Sequence, residues 1–295
     1  MNINDEYDER INKVLNYIDK YYYEDMSLNS LSSIAGFSSF HFHRIFIGRI
    51  GESLHQYIKR IKLSKAAYFL LYEKKMSITK IAIKCGFNSS TDFSRSFKSF
   101  YKISPKVYRL NGNNNIHGIN KIKNAFVQKI DIEKKINLKK LEDHTLAYVR
   151  TSGLSKTHNS IKIKMAYEYL LKWASSKNLI NKNTLFLGVI IDNPEVLSME
   201  DCRFLASITV PDDAKGTGRV CVSKMSLKGE YITYIFDRTS ETFNKHFFEV
   251  CNYLYGYYFP DNGFIPDDRP FIERFLEDKN QKPLLELYIP VKYNF

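Results

Sequence analysis

The sequence predicts a multidomain chain: an all-α domain in front, then an α+β domain of two pseudo-symmetric βαββ halves. Three observations carry this expectation. At 295 residues the chain exceeds one average domain. Its charge is segregated: residues 1–112 hold 18 Lys/Arg against 10 Asp/Glu, residues 113–140 hold 7 against 2, and residues 141–295 hold 19 against 20. Each part also contains its own internal repeat.

The front part reads as helices. Ile11, Val14, Leu15, Ile18 and Tyr22 recur at helical spacing over 7–22. Ser27 is an N-cap for a short helix with Leu28, Leu31, Ile34 and Ala35 inward, and Gly36 supplies a left-handed turn after it. A second short helix covers about 39–47, and a long one runs from Ser53 to about 73. The pattern then restarts. Ser77 caps a short helix, Gly86 turns, a helix spans about 89–100, and Ser104–Pro105 opens a last turn near Arg109.

Residues 111–120, NGNNNIHGIN, have almost no apolar anchor and read as a linker. This divides the chain into a front domain at 1–110, a linker at 111–124 and a rear domain at 125–295. Strands are expected at 145–151, 184–191, 203–210, 230–237, 270–276 and 284–290, and helices at 159–177 and 240–257. That is strand–helix–strand–strand twice, offset by about 85 residues, which favours helices on one face of an antiparallel sheet.

The sharpest signal is the front repeat. IAGFSSFHFHRIF from Ile34 recurs as IKCGFNSSTDFSRSF from Ile83. Gly36–Phe37 matches Gly86–Phe87, and Arg44 and Phe46 match Arg95 and Phe97. In each copy a short helix, a glycine turn and a second helix follow one another, which is a helix-turn-helix. Phe37, Phe42 and Phe46 are expected in one core and Phe87, Phe93 and Phe97 in the other. Phe40, His43 and Arg44 then point outward, as do Ser90, Thr91, Ser94 and Arg95. Such a helix fits a DNA major groove, where Arg pairs guanine bidentately and hydroxyls serve several bases. The basic front half suits a polyanion, although the charge alone fits a solvated basic surface equally well. His41 and His43, two apart on a helix, point in different directions and do not suggest a metal site.

This pair of motifs resembles the AraC/XylS-type DNA-binding domain over about residues 7–110; GFNSSTDFSRSFKSFYKISPKVYR is close to that family's signature. The rear part resembles the GyrI-like effector-binding domain through AYVRTSG (147–153), LGVIIDNPE (187–195), KGEYITYIF (228–236), RPFIERFL (269–276) and LLELYIPV (284–291). The order is that of Rob-like regulators. The resemblance implies a double helix-turn-helix regulator of transcription that reads two successive major-groove segments of double-stranded DNA. It also implies a rear domain that senses a hydrophobic or cationic small molecule. It places a ligand-contacting carboxylate at Glu273, where Phe271 and Phe275 share its strand face and aromatics add cation–π attraction. The bland alternative for Glu273 is a salt bridge with Arg269 or Arg274. Trp173, Tyr234 and Tyr288 are pocket walls by analogy and packing residues by default. The sequence departs from the family at Arg203–Phe204–Leu205, where the usual acid is missing, and after the 231–236 strand, where Asp237 and Thr239 replace a His and a Gly-Pro.

Other classes are disfavoured. A composition of 44% hydrophobic and 26% charged residues fits folded cores. No apolar run approaches membrane length, and the acidic start MNINDEYDER does not read as a secretory signal. Cys85, Cys202, Cys221 and Cys251 form no CxxC pair, which fits a reducing cytoplasm. No cofactor or metal is expected. RNA polymerase is a candidate partner, and the oligomeric state is left open. One rival reading is a rear domain that binds a protein. Another, suggested by GyrI-like domains that hydrolyse strained rings, is a hydrolase using Glu273. The sequence shows no nucleophile–base pair, so no enzyme is expected.

Overall fold

The computed structural model describes residues 3–111, 129–153 and 161–294. The expected linker falls, beyond Asn111, outside the described residues. The chain divides into two compact units, Met1–Asn114 with Thr217–Cys221 and Asn115–Gly216 with Val222–Phe295.

The first unit contains seven helices among the described residues: α1 (Ile3–Tyr21), α2 (Leu28–Ala35), α3 (Ser39–Ile50), α4 (Leu54–Tyr72), α5 (Ile78–Lys84), α6 (Ser90–Tyr101) and α7 (Pro105–Asn111). Their starts are written locally. The hydroxyls of Ser27, Ser38, Ser53, Ser77 and Ser89 each accept from an orphan backbone N–H of the first turn. Ser53 and Gln56 complete a capping box at the head of α4. The turns of both motifs are left-handed, with φ +67° at Gly36 and +76° at Gly86. Arg10 Nη1 donates to Gly36 O at 2.8 Å, and Lys62 Nζ donates to Gly86 O at 2.8 Å. A basic side chain from the preceding long helix therefore holds each turn.

Phe42 and Phe46 in α3, and Phe93 and Phe97 in α6, are fully buried. Each such ring contributes about 1.5–3 kcal/mol. Phe87 is also buried, but Phe37 is only partly so. Its ring lies at the margin of α1, with the Arg10 guanidinium 4.8 Å from its centroid and Tyr7 edge-on at 5.3 Å. The long helix α4 packs against α3, α5, α6 and α7.

The second unit contains α8 (Lys129–Glu133), β1 (Asn137–Leu141), β2 (His144–Ser152), α9 (Ile161–Ser176), β3 (Phe186–Ile190), β4 (Arg203–Thr209), β5 (Val220–Met225), β6 (Gly229–Asp237), α10 (Phe243–Tyr253), β7 (Phe264–Pro266), β8 (Phe271–Glu277) and β9 (Pro283–Tyr293). The sheet order is β1-β6-β9-β8-β3-β4-β2-β5, with β7 added on β9. The two halves, β2–α9–β3–β4 and β6–α10–β8–β9, meet where β3 pairs β8 antiparallel. In that register Phe186 faces Phe275, Ile190 faces Phe271, and Gly188 faces Glu273 at the centre. Residues 85 apart exchange places across this pair, so the pseudo-twofold axis passes between Gly188 and Glu273.

Three strands lie outside the expected six. β1 precedes β2 but pairs with β6, while β5 precedes β6 but lies beside β2. Each half thus lends its leading strand to the other. Both are edge strands, and NLKKL and VCVSKM carry the lysines that edges favour, which weakens their apolar alternation. β7 has only three residues. The last expected helix is real but ends in a π-turn, Leu254–Tyr258.

The glycine turns generate a stability prediction. A Cβ on Gly86 would sit 2.1 Å from Tyr23 O, whereas one on Gly51, at φ +86°, meets nothing within 4 Å. Gly51→Ala should cost about 1 kcal/mol, the left-handed strain alone, and Gly86→Ala roughly 3 kcal/mol or more. Urea unfolding followed by the helical dichroism of the full chain measures both. Equal losses would show that the Tyr23 carbonyl does not constrain this turn.

Candidate nucleic-acid interface and ligand site

The second helices of the two motifs, α3 and α6, are 12 residues each. With Phe42 and Phe46 in the core, α3 turns Phe40, His43 and Arg44 to solvent. The Phe40 ring is 75% exposed, and the Arg44 guanidinium lies 5.9 Å from its centroid. The two stand one helical turn apart. His41 points elsewhere, packed against Tyr7 and Phe37 at 5.7 and 5.1 Å. On α6, Thr91 and Arg95 are exposed while Ser90 and Ser94 are half-buried. Arg95 Nη2 lies 3.2 Å from Asp92 Oδ1, with 79% of its side chain exposed. An exposed i,i+3 pair of this kind holds its partners by only about 0–1 kcal/mol, so the guanidinium can be redirected cheaply.

In the second unit, strand alternation decides which candidates share a face. Glu273, Phe271, Phe275, Gly188, Phe204 and Tyr234 lie on the side where α9 and α10 pack. Glu273 is 6% exposed. Gly188 opposite leaves its carboxyl room: a Cβ there would come within 2.4 Å of the Phe204 ring and 3.2 Å of Glu273 Oε2. Tyr167 of α9 donates its hydroxyl to Leu187 O at 2.7 Å and sets its ring edge-on to Phe275 at 5.6 Å and to Phe204 at 6.5 Å. Burial pushes the Glu273 carboxyl up to about 7, against the opposing pull of the Arg238 charge. Burial, and next the Glu273 charge, push the Tyr167 phenol well up. The site is a carboxyl on the pseudo-twofold axis, walled by Tyr167, Phe204 and Phe275.

The expected wall residues distribute unevenly around it. Tyr234 shares the face but lies two strands away, its hydroxyl sharing a 3.0 Å hydrogen bond with His246 Nε2. Trp173 is buried on α9, about 9 Å farther along the helix than Tyr167. Tyr288 is on the opposite face, because Glu273 is registered with Leu287. There its hydroxyl donates to Glu286 Oε2 at 2.7 Å, and Lys139 Nζ reaches Glu286 Oε1 at 2.5 Å. The structure therefore does not bring Tyr288 together with Glu273.

Neither arginine weighed as a salt-bridge partner of Glu273 is directed at it. Arg269 serves Asp267 at 2.6 Å and the carbonyls of Lys228, Glu230 and Val291 at 3.2, 3.0 and 2.9 Å. Arg274, on the far face, lies 3.8 Å from Glu286. The acid missing after Arg203 is supplied from another strand end: Asp192 accepts Arg203 Nε at 2.8 Å and Nη2 at 2.6 Å. Asp237 accepts Thr239 N at 2.9 Å and Thr239 Oγ1 at 2.7 Å, and Lys282 and Thr239 hold its carboxyl down to about 2. Sequence reasoning missed Gly188, Tyr167 and Arg238 as neighbours of the site. Only Gly188 left a signal, a glycine inside an apolar strand, which marks close approach.

With this geometry in place, the similarities are informative. A helix-turn-helix domain model matches residues 31–111, and a GyrI-like small molecule binding domain model matches residues 134–292, more than half of the chain. The chain belongs to the GyrI-like family. It carries an AraC-type helix-turn-helix domain ahead of the GyrI-like domain. The HTH-type transcriptional regulator YbfP of Bacillus subtilis (strain 168) is 37% identical over 103 residues, 35% of this chain and 35% of that protein. An HTH-type transcriptional regulator of Staphylococcus aureus (strain COL) is 35% identical over 102 residues, 35% of this chain and 14% of that protein. The match to these curated relatives thus spans about a third of one and a seventh of the other. Among solved structures, the C-terminal domain of the two-component response regulator yesN from Fusobacterium nucleatum subsp. nucleatum is 27% identical, covering 34% of this chain and 98% of its own, with a TM-score of 0.33. Among the described residues of this GyrI-like chain, no helix is long and apolar enough to cross a membrane.

The buried carboxyl makes stability pH-dependent. Unfolded, it titrates near 4.5, and folded near 7. Between these values the native state binds the extra proton, so stability falls as pH rises through that window. The cost is absent below about pH 4 and complete above about pH 7, where it reaches roughly 3 kcal/mol. Glu273→Gln should match the parent in acid and exceed it by that amount at pH 8. Unfolding followed by Trp173, the only tryptophan, reads this unit. A pH-independent difference would place the carboxyl at its ordinary value.

Proposed function

We propose that this chain is a DNA-binding transcription regulator that reads two successive major-groove segments with α3 and α6 and senses a hydrophobic or cationic small molecule through its GyrI-like domain. The observation that carries the first part is the duplicated motif: two 12-residue helices, each buried through a phenylalanine pair and free on the other side, joined by one unbroken helix. The 19 residues of α4 extend about 28 Å. That is commensurate with the roughly 34 Å between major-groove segments one turn apart on the same side of a duplex.

In this reading Arg44 and Arg95 pair guanine O6 and N7, and Phe40 packs on a thymine methyl. His43, Ser90, Thr91 and Ser94 contact base edges or phosphates. The front domain at 1–110 does the reading, residues 111–124 link, and residues 125–295 sense. The basic front half raises affinity and its salt dependence without adding specificity. The buried Glu273 among aromatic rings supports the sensing part, since a carboxyl in such a setting favours an organic cation. A ligand changes DNA binding only if one conformation or assembly binds it better than another.

Selection of genomic fragments by the purified chain, at near-physiological salt with random competitor DNA, tests the DNA reading. A site with two short blocks about one turn apart is expected. Arg95→Ala should then lose about 1–3 kcal/mol of discrimination at one base position. Equal losses on selected and random DNA would remove Arg95 from base reading. Steeply salt-dependent binding with no sequence preference would replace the regulator with a nonspecific DNA binder.

A further inference from the structure

Arg238 follows directly on β6 and is an exposed residue. Its backbone is fixed, since its N–H donates to Pro283 O at 3.1 Å. Its side chain turns back over the site: the guanidinium carbon lies 5.2 Å from the centroid of the Phe275 ring. Tyr167 meets the same ring edge-on at 5.6 Å. Phe275 stands on the face of Glu273, one pleat along β8. Among the described residues, no carboxylate is in ion-pair contact with Arg238. What holds the guanidinium inward is the ring face and the field of the buried site, where its charge acts on both Glu273 and Tyr167.

An aromatic wall, a buried carboxyl and a cation over one ring are the three parts of an organic-cation complex. Here the chain supplies the cation itself, on an exposed side chain whose guanidinium lies over the Phe275 ring. We propose that Arg238 is a tethered competitor: its guanidinium occupies the cation position over Phe275, and an organic cation binds at Glu273 by displacing it. This rests on the small-molecule reading of that site and adds a selectivity rule to it. A neutral apolar compound gains nothing from Glu273 and leaves Arg238 in place. A cation must outbid a guanidinium that is always present at high effective concentration. Because an exposed arginine pays little to swing into water, the competition is reversible and needs no rearrangement of the sheet.

The test uses the full chain, with benzyltrimethylammonium as the cation and neopentylbenzene as its uncharged isostere, each titrated calorimetrically. Arg238→Gln should bind the cation about two- to fivefold tighter than the parent, the size of one exposed cation–π contact. It should leave the uncharged isostere unchanged, and the gain should vanish in the Arg238→Gln, Glu273→Gln double variant. Unchanged or weaker cation binding by Arg238→Gln, with the parent still binding, overturns the competitor role while the small-molecule reading stands. An equal gain for the uncharged isostere also overturns it, making Arg238 a steric cover and not a competing charge. Binding of neither probe by the parent or the variant overturns the inference together with the ligand reading on which it rests.

Discussion

In each helix-turn-helix motif, the glycine that turns the chain is gripped from outside its own two short helices. Arg10 of α1 reaches Gly36 O, and Lys62 of α4 reaches Gly86 O, both at 2.8 Å. The angle at which α3 and α6 leave their turns depends on these two contacts, because a left-handed glycine by itself permits a wide range of exits. The grips are not equivalent. Arg10 is shared with Glu6 at 2.6 Å and stacks on Phe37, so the first turn is tied mainly by side chains. The second turn is pressed against the Tyr23 carbonyl, and Lys62 also reaches Glu24 O at 3.3 Å. Burial, partly offset by Asp25 and Cys85, lowers the pKa of Lys62. The second motif is therefore docked on backbone that also ends α1, which couples the placement of α6 to the first motif.

The same logic of a shared central position governs the GyrI-like domain. Its pseudo-twofold axis brings one residue from each half face to face, and a side chain on the β3 member would run into the Phe204 ring, 2.4 Å from its Cβ. The chain resolves this with Gly188 on one side and Glu273 on the other. The carboxyl is buried beside that glycine, with Tyr167 of α9 close by. A charge there is costly, which is why burial dominates its titration. Around it stand the Phe204 and Phe275 rings, and the Arg238 guanidinium lies over Phe275.

Much of this was legible in the residues. The serine caps, the glycine turns, the phenylalanine pairs and the order of the seven front helices follow from interactions within a few positions, and the structure places them within a residue or a few of where the pattern puts them. The two βαββ halves were legible for the same reason, since their inner strands are buried and strongly apolar. Phe40 and Arg44 could be assigned outward because Phe42 and Phe46 already claim the inward face. The edge strands β1 and β5 were not legible, because a short, half-exposed strand with lysines in it has no clear period to read.

By itself, then, the sequence determined what is local: helix ends, turn chirality, the faces of α3 and α6, and the two-part architecture with its segregated charge. Tertiary structure alone decided what depends on pairing between distant segments. The exchange of β1 and β5 between halves is one such outcome. The placement of Tyr288 on the face opposite Glu273 is another, because a single residue of register between β8 and β9 reverses every side chain on the strand. The approach of Arg238 to Phe275 is a third, since residues 37 positions apart meet only when β6, β9 and β8 lie side by side. Local chemistry is written in neighbouring letters, whereas register and face are settled only when the sheet closes.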